Sequence, residues 1–423
     1  MRFDLLIKGG EIVDPATGYF GPGDVAVRRD RVAAVARDIP AESAFRVIDA
    51  SGLLVTSGLI DLHAHVWHGA GYYGIDPDPI GAVSGVTSWV DAGSAGAFTL
   101  EGLRRYIIEQ SQVRIAAFLN ISCIGLVAWD YELTNIELAD VALFEMVANR
   151  HRDILCGVKV RMGATTVGSN GIEPVRRALQ AAERCDMPIM VHIAHPPPGI
   201  EEFLPLLRAG DIITHCFTGL PMKLFDDDGR LIDVARRAVD AGVILDIGHG
   251  AGSFAFKTAE AALAAGIRPH AISTDIHQMS VAGPMFDLPT CLSKFLALGL
   301  GVRDVIAMAT EAPARILRYE DRGTLRVGAL ADISLFRLRE GAFPLYDNTG
   351  VMRTGRQLLR NVETIVGGRV LERSPASPRA IWAEHWDRGG TNARMRAFQC
   401  ELVARGHTPE QMCGCGPVAN VHR

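Results

Sequence analysis

The 423-residue sequence is poor in the features that would tie it to a membrane or to nucleic acid. It has no uninterrupted apolar run of the roughly 20 residues that a membrane-spanning helix needs. Lys and Arg number 43 against 48 Asp and Glu, with no basic run. Neither nucleic acid nor an anionic membrane surface is therefore expected as a partner. The opening Met1-Arg2-Phe3-Asp4-Leu5-Leu6-Ile7 reads as a strand and lacks the apolar core and cleavage site of a secretory leader. Cysteine is sparse and scattered, at 123, 156, 185, 216, 291, 400, 413 and 415. Most of these lie in apolar segments, which is the pattern of reduced packing residues in a cytoplasmic protein. Cys413-Gly414-Cys415 is too close-spaced for the usual zinc-ligand patterns. Internal repeats and low-complexity linkers are missing too, and no Gly-x-Gly-x-x-Gly turn supports a dinucleotide-binding fold.

What is present is a large apolar fraction, 48% of residues, enough for a sizeable core with a smaller domain attached. Residues 1–56 alternate apolar and polar side chains in short stretches, with Gly9-Gly10, Asp14-Pro15 and Arg29-Asp30 as punctuation. That rhythm predicts a small β unit. From 57 to 322 the pattern becomes apolar strand, polar loop and amphipathic helix, repeated. Strands are expected at Leu59–His63, Val86–Val90, Ile115–Leu119, Gly157–Val160, Ile189–His192, Ile212–His215, Val243–Ile247 and Ala271–Thr274. Near-continuous apolar strands alternating with helices imply a parallel sheet covered on both faces. Eight such units over about 250 residues suit a (β/α)8 TIM-like barrel. One long helix is expected over Val302–Leu317. Strand signals resume over 323–375, which predicts a discontinuous β-sandwich domain shared with residues 1–56. Residues 376–423 read as a C-terminal helical and loop extension.

The chain is organised around Gly58-Leu59-Ile60-Asp61-Leu62-His63-Ala64-His65. Side chains two apart on a strand share a face, so His63 and His65 aim two imidazoles at one point. Asp61 sits one step deeper, where a carboxylate could orient a ligand histidine. Two histidines capping a strand are the plainer alternative. Functional side chains of such a barrel project from the C-terminal ends of its strands. Those ends supply His63 and His65, then Lys159, His192, His215 and Asp275 from the fourth, fifth, sixth and eighth strands. A cluster of this kind is costly unless paired or metal-bound. An interior Lys159 beside cations would have a lowered pKa. As a neutral amine it could take up carbon dioxide and become an anionic carbamate ligand; a salt bridge to Asp275 or Asp91 is the structural alternative.

At this point the sequence resembles the amidohydrolase superfamily of binuclear metal-dependent hydrolases, over nearly its whole length. The resemblance is carried by the opening Leu5–Asp14 strands and by the His-x-His strand. It extends to Thr310-Glu311-Ala312-Pro313-Ala314-Arg315-Ile316-Leu317 and to Gly328-Ala329-Leu330-Ala331-Asp332-Ile333. It implies His63 and His65 on a buried metal and His192 and His215 on a more exposed one, with zinc the expected ion. Lys159 would be the N6-carboxylysine bridge, and Asp275 both ligand and general base. Segments around His192, His215, His249 and Asp275 are similar to a deacetylase branch related to dihydroorotase. Its members hydrolyse acetyl esters or amides of α-substituted carboxylic acids with R or D preference. Dihydroorotases carry an arginine where this chain has Trp67, and D-aminoacylases a ligating cysteine where it reads Val90-Asp91-Ala92-Gly93.

Around that core, His249 in its Gly-His-Gly setting could donate to an oxyanion or a substrate carboxylate. Arg161 shares a strand face with Lys159 and could clamp a carboxylate or pair with a loop acid. His277 and His195 are further candidates for substrate contact. His68 and Tyr72-Tyr73 on the loop after the first barrel strand are expected to be solvated. Asp226-Asp227-Asp228-Gly229 lacks the spacing of a calcium loop. The expected partner is a small acylated acid, and a homo-oligomer is compatible with the sequence without being signalled by it. Ring opening of a cyclic amide is the alternative activity, and a non-catalytic scaffold the alternative class.

Overall fold

A computed structural model of the chain describes residues 2–226 and 228–384. Asp227, Cys400, Cys413, Cys415 and most of the proposed C-terminal extension lie outside the described residues. Alternation of apolar and polar residues produces β1 (Phe3–Asp14), β2 (Tyr19–Arg28), β3 (Arg31–Ala36), β4 (Ala44–Asp49) and β5 (Leu54–Ser57). Gly9-Gly10 does not end a strand, as its sequence suggests. It lies inside the continuous β1, where the register with β2 shifts between Ile7 and Gly10.

The barrel strands follow as β6 (Leu59–Ala64), β7 (Val86–Ala92), β8 (Arg114–Asn120), β9 (Leu155–Met162), β10 (Ile189–Ile193), β11 (Ile212–Thr214) and β12 (Ile244–Leu245). They lie side by side in that order, all parallel. The expected eighth strand is not a regular strand. Residues 271–276 instead make single bridges, Ala271 to Asp246 and Ile276 to Ala64. Backbone hydrogen bonds run from Gly250 N to Thr274 O (2.7 Å) and from Asp275 N to His63 O (2.7 Å). These close the ring, and the ladder breaks because Asp275 takes a left-handed backbone, φ +47°.

Amphipathic helices at Glu173–Cys185, Asp233–Asp240 and Phe256–Ala264 surround the sheet as the periodicity predicts. The helix expected over Val302–Leu317 is two, Val302–Ala307 and Glu311–Ile316. Pro313 has no N–H to continue the first helix, and is tolerated in the opening turn of the second. Among the described residues, no helix is long and apolar enough to cross a membrane.

After the barrel come β13 (Ile333–Tyr346), β14 (Met352–Val366) and β15 (Arg369–Val370). The strand expected from Gly323 begins only at Ile333, and the long β13–β14 hairpin was not legible in the pattern. These strands join the first five in one eight-stranded sheet, ordered β15-β14-β13-β5-β1-β2-β3 with β4 beside β1. The two distant chain segments meet where Thr56 pairs Ser334. Ile7, Val25, Val55, Leu335 and Ile365 form the core of that sheet.

Gly85 marks the contact between hairpin and barrel. Its φ is +79°, and a Cβ there would lie 2.5 Å from the Phe336 ring. Its carbonyl accepts from Ser334 Oγ (2.7 Å) and from Leu59 N (3.0 Å). Gly85→Ala is expected to cost about 2–4 kcal/mol, combining a left-handed backbone with overpacking. Urea unfolding would check this; a change below about 0.5 kcal/mol would mean that the junction yields freely.

Candidate metal centre

The end of β6 delivers His63 and His65 to the barrel interior, both buried. Asp275, on the closing segment, reaches both: its Oδ1 lies 3.3 Å from His63 Nε2 and 3.2 Å from His65 Nε2. One ligating atom from each of the three falls within 4.8 Å of the other two. Lys159 enters from β9 with Nζ 3.3 Å from His63 Nε2 and 3.4 Å from Met190 Sδ. Among the described residues no carboxylate comes within ion-pair distance of Lys159, so the expected salt bridge to Asp275 or Asp91 is not formed. Asp91 is engaged elsewhere, accepting from Val66 N (3.0 Å) and Ser94 N (2.7 Å).

The second group is His192, at the end of β10, and His215, just past β11. His215 Nε2 lies 2.7 Å from His192 Nδ1, and His215 Nδ1 donates to Gly248 O at 2.6 Å. The His63 and His215 ring centroids are 5.2 Å apart, so the two groups adjoin. The structure thus brings His63, His65, Lys159, His192, His215 and Asp275 to one barrel mouth.

Burial sets the charge state of this cluster. Desolvation holds the His63 and His192 imidazoles well below their ordinary pKa, His65 down to about 3 and His215 to about 4. Near neutral pH all four are uncharged, with lone pairs available to a cation. Desolvation also brings the Lys159 ammonium down to about 7, against an opposing pull from Asp275. Neutral imidazoles, one carboxylate and a lysine without a carboxylate partner form a donor set that fits divalent cations.

The expected role of Asp61 is not what the structure shows. Its carboxylate touches no imidazole; it accepts from the backbone of Thr274 (3.0 Å) and His63 (3.3 Å) and from the Thr274 hydroxyl. Asp61 therefore ties β6 to the closing segment. His63 is oriented instead by Thr214, whose Oγ1 lies 2.7 Å from Nδ1 and donates to Asp246 Oδ2 at 2.7 Å. A hydroxyl has one proton, so Thr214 must accept from His63 Nδ1–H. That fixes the tautomer and leaves the Nε2 lone pair facing Lys159 and Asp275. Asp246 is held on its other oxygen by Ser273 Oγ at 2.7 Å. Ser94 plays the matching part for His65, Oγ to Nδ1 2.9 Å. Thr214, Asp246, Ser273 and Ser94 were missed in the sequence. Adjacency of Thr214 to His215 and of Asp246 to Gly248-His249 was the only signal.

The remaining candidates separate. Both ring nitrogens of His249 have partners in this structure. Nδ1 meets Gly250 O at 3.0 Å and Nε2 meets the buried Lys294 Nζ at 2.7 Å. Lys294 also donates to Pro284 O (2.9 Å), so this pair braces the Gly248–Gly250 turn from behind. Arg161 has found loop acids, Asp130 at 3.6 Å and Glu132 at 3.5 Å, while its Nε has no partner. His277 Nδ1 accepts from Met279 N (3.3 Å) and Ser280 N (3.4 Å), which leaves the proton on Nε2. His195 is exposed, and its carbonyl accepts from Ala164 N at 2.8 Å. Tyr73, expected to be solvated, is half-buried. Its hydroxyl donates to Trp129 O (2.7 Å), and its ring lies 5.4 Å from His65 and 5.2 Å from His277.

A profile of the Amidohydrolase family matches residues 54–370, and the chain belongs to that family. Among curated proteins it is similar to Deacetylase Atu3266 of Agrobacterium fabrum, 38% identical over 84% of this chain and 88% of the relative. A deacetylase of Enterococcus faecalis is 34% identical over 88% of this chain and the whole of the relative. Among solved structures, one described as a dihydroorotase superposes with a TM-score of 0.81 at 36% identity, covering 86% of this chain and 98% of that one. Another, described as an adenine deaminase, gives 0.81 at 35%, covering 87% and 99%. The protein is a hydrolase of the amidohydrolase class with deacetylase-named relatives.

Thr214→Val removes the hydroxyl between Asp246 and His63 at nearly constant volume. Divalent-ion affinity, measured by competition with a chromogenic chelator, is expected to fall about 10–100-fold. Unchanged affinity would show that Thr214 does not orient His63.

Proposed function

We propose that this chain removes an acetyl group from an ester or amide of an α-substituted carboxylic acid, preferring the R or D enantiomer. The observation that carries the reading is the convergence of His63, His65 and Asp275 beside Lys159 in a chain similar to named deacetylases. His63, His65 and Asp275 would hold one divalent cation and His192 and His215 a second, with zinc suited to such donors. Bound cations supply an activated water and polarise the scissile carbonyl. Asp275, 8% exposed and facing both imidazoles, would be the base that accepts a proton from the attacking water and passes it to the leaving oxygen or nitrogen.

Only thin slivers of His65, Arg161, Asp275 and His277 are exposed, 5%, 8%, 8% and 6%. We read them as the cleft floor. The His277 Nε2–H and the Arg161 guanidinium, which keeps one unpartnered N–H, are the groups proposed to receive the substrate carboxylate. His249 and His195 are kept as further candidates for contact with substrate.

Lys159 is proposed as the bridging N6-carboxylysine. Its uncharged amine attacks carbon dioxide, a nitrogen–carbon bond forms and one proton leaves to solvent. Since the ammonium titrates near 7, amine and hence carbamate increase as pH rises through that value. In metal-free protein supplied with 13C-bicarbonate, a carbamate carbonyl resonance should grow over that range and be missing from Lys159→Met. A pH-independent signal would contradict the assignment.

Opening of a cyclic amide is the second reading, favoured by the superposition on a structure described as a dihydroorotase. Against it, Trp67 is buried in the apolar core and provides no cation. The separating experiment is hydrolysis of paired enantiomers, N-acetyl-D- against N-acetyl-L-amino acids and acetyl-(R)- against acetyl-(S)-mandelate, by zinc-loaded protein. The D and R members should turn over at least about tenfold faster, and Asp275→Asn should lose about a hundredfold or more in kcat. Equal turnover of both series would remove the stereochemical reading. Turnover of dihydroorotate or a hydantoin alone would replace the deacetylase with the cyclic amidase.

A further inference from the structure

A second concave site lies away from the barrel mouth, on the β13–β14 hairpin. Arg337, Arg339, Arg360, Asn361, Val362 and Arg373 line a cavity of about 350 Å³. Four of its six walls are guanidinium side chains, and none is a carboxylate. Arg337 and Arg360 are direct cross-strand partners, and Arg339 follows two residues along the same face. Like charges placed opposite one another on a sheet destabilise it, and a bound anion would relieve that repulsion.

Other arginines of the chain show what internal compensation looks like: Arg114 pairs with Asp332, Arg353 with Glu260, and Arg104 with Asp153 and Glu109. Among the described residues, none of the four cavity arginines has a carboxylate within ion-pair distance. Two are held in place all the same. Arg373 Nη2 donates to Val362 O (2.7 Å) and Asn361 O (3.4 Å), and the Arg339 guanidinium lies 5.7 Å from the centre of the Phe343 ring. The hairpin itself is anchored to the barrel by Leu359 N, which donates to Ser293 Oγ at 2.9 Å. The cavity is therefore a set of positive forks mounted on a braced strand pair, with no carboxylate in ion-pair contact among the described residues.

We propose that this cavity binds a small polyvalent oxyanion, best matched by a short chain of phosphate groups. Guanidinium forks match phosphate and carboxylate oxygens two at a time, and several around one concavity select for multiple charge over a single one. No aromatic side chain lines the walls, so recognition stops at the anionic groups and does not extend to a stacked base. A concave site of this size suits a compact ligand; an extended polyanion would call for a continuous basic stripe.

The test is calorimetric titration of the full-length, metal-loaded protein with tripolyphosphate, orthophosphate and citrate at fixed ionic strength. The comparison protein carries Arg337→Gln and Arg360→Gln together. Tripolyphosphate also chelates divalent ions, but that effect is common to both proteins, so the difference between them reports the cavity. Tripolyphosphate is expected to bind wild type tighter than orthophosphate, and to bind the double variant about tenfold or more weakly. The variant should melt no lower than wild type, because a repulsive pair has been removed, and should keep its hydrolytic rate. Citrate binding in place of tripolyphosphate, with the same dependence on the two arginines, supports the same site with carboxylates as its source. Equal binding of tripolyphosphate to both proteins overturns the proposal. So does binding confined to long polyanions such as heparin.

Discussion

Asp275 carries two duties that cannot be separated. Its backbone N–H donates to His63 O at 2.7 Å, one of the bonds that close the barrel. Its carboxylate meets the Nε2 atoms of His63 and His65 from that position. A regular eighth strand would keep the ladder intact but point successive side chains alternately to the two faces. The left-handed φ of +47° breaks the ladder and places the carboxylate at the mouth. For a residue with a Cβ such a backbone is unfavourable and persists only when its surroundings determine it. Here they do: Asp61 accepts from Thr274 N on one side, and Gly250 N donates to Thr274 O on the other. Gly250 leaves room as well, since a Cβ there would fall 2.4 Å from Asp275 Oδ2.

Around this residue burial keeps the imidazoles uncharged, ready for a cation. Burial keeps the four imidazoles neutral and brings Lys159 to about 7. Protonated imidazoles would repel both metal and one another, so desolvation serves binding here more than it harms stability. The Asp246–Thr214–His63 chain adds direction to neutrality. It spends a buried carboxylate, itself pushed up to about 6 by desolvation, on choosing one tautomer of one ligand. Lys294 against His249 is a comparable arrangement one layer further out. It fixes the turn whose Gly248 carbonyl orients His215.

How much of this was readable from the chain follows from where each interaction lives. Strand ends are local features, so alternation and apolar runs located the barrel and its six candidate donors. The orienting contacts join residues far apart in sequence, such as Thr214 with His63 and Ser94 with His65, and no local period encodes them. Asp61 was misjudged for a related reason. Sharing a strand face with His63 says nothing about which partner its carboxylate will find, and the nearer one was the backbone of the closing segment. The Lys294 partner of His249 was not foreseen because it sits on a helix that the pattern did not reveal. The β13–β14 hairpin was missed because its two strands are long and broken by register shifts, between Leu335 and Phe336 and between Glu340 and Phe343.

The relatives set a limit on what the shared chemistry can say about substrate. Proteins described by three different reactions lie at 34–38% identity to this chain over most of its length. A common scaffold at that distance defines a reaction type and leaves the leaving group to the loops. In this chain the mouth also carries the Tyr73 ring beside His65 and His277, and Arg161 of β9 shared between the loop acids Asp130 and Glu132. Two buried acids against one guanidinium would repel an incoming carboxylate if both were ionised. Desolvation raises the pKa of Glu132 against the opposing pull of Arg161, which weakens that repulsion. The charge balance at Arg161 is thus set by the burial of its two acid partners, not by the candidate donors.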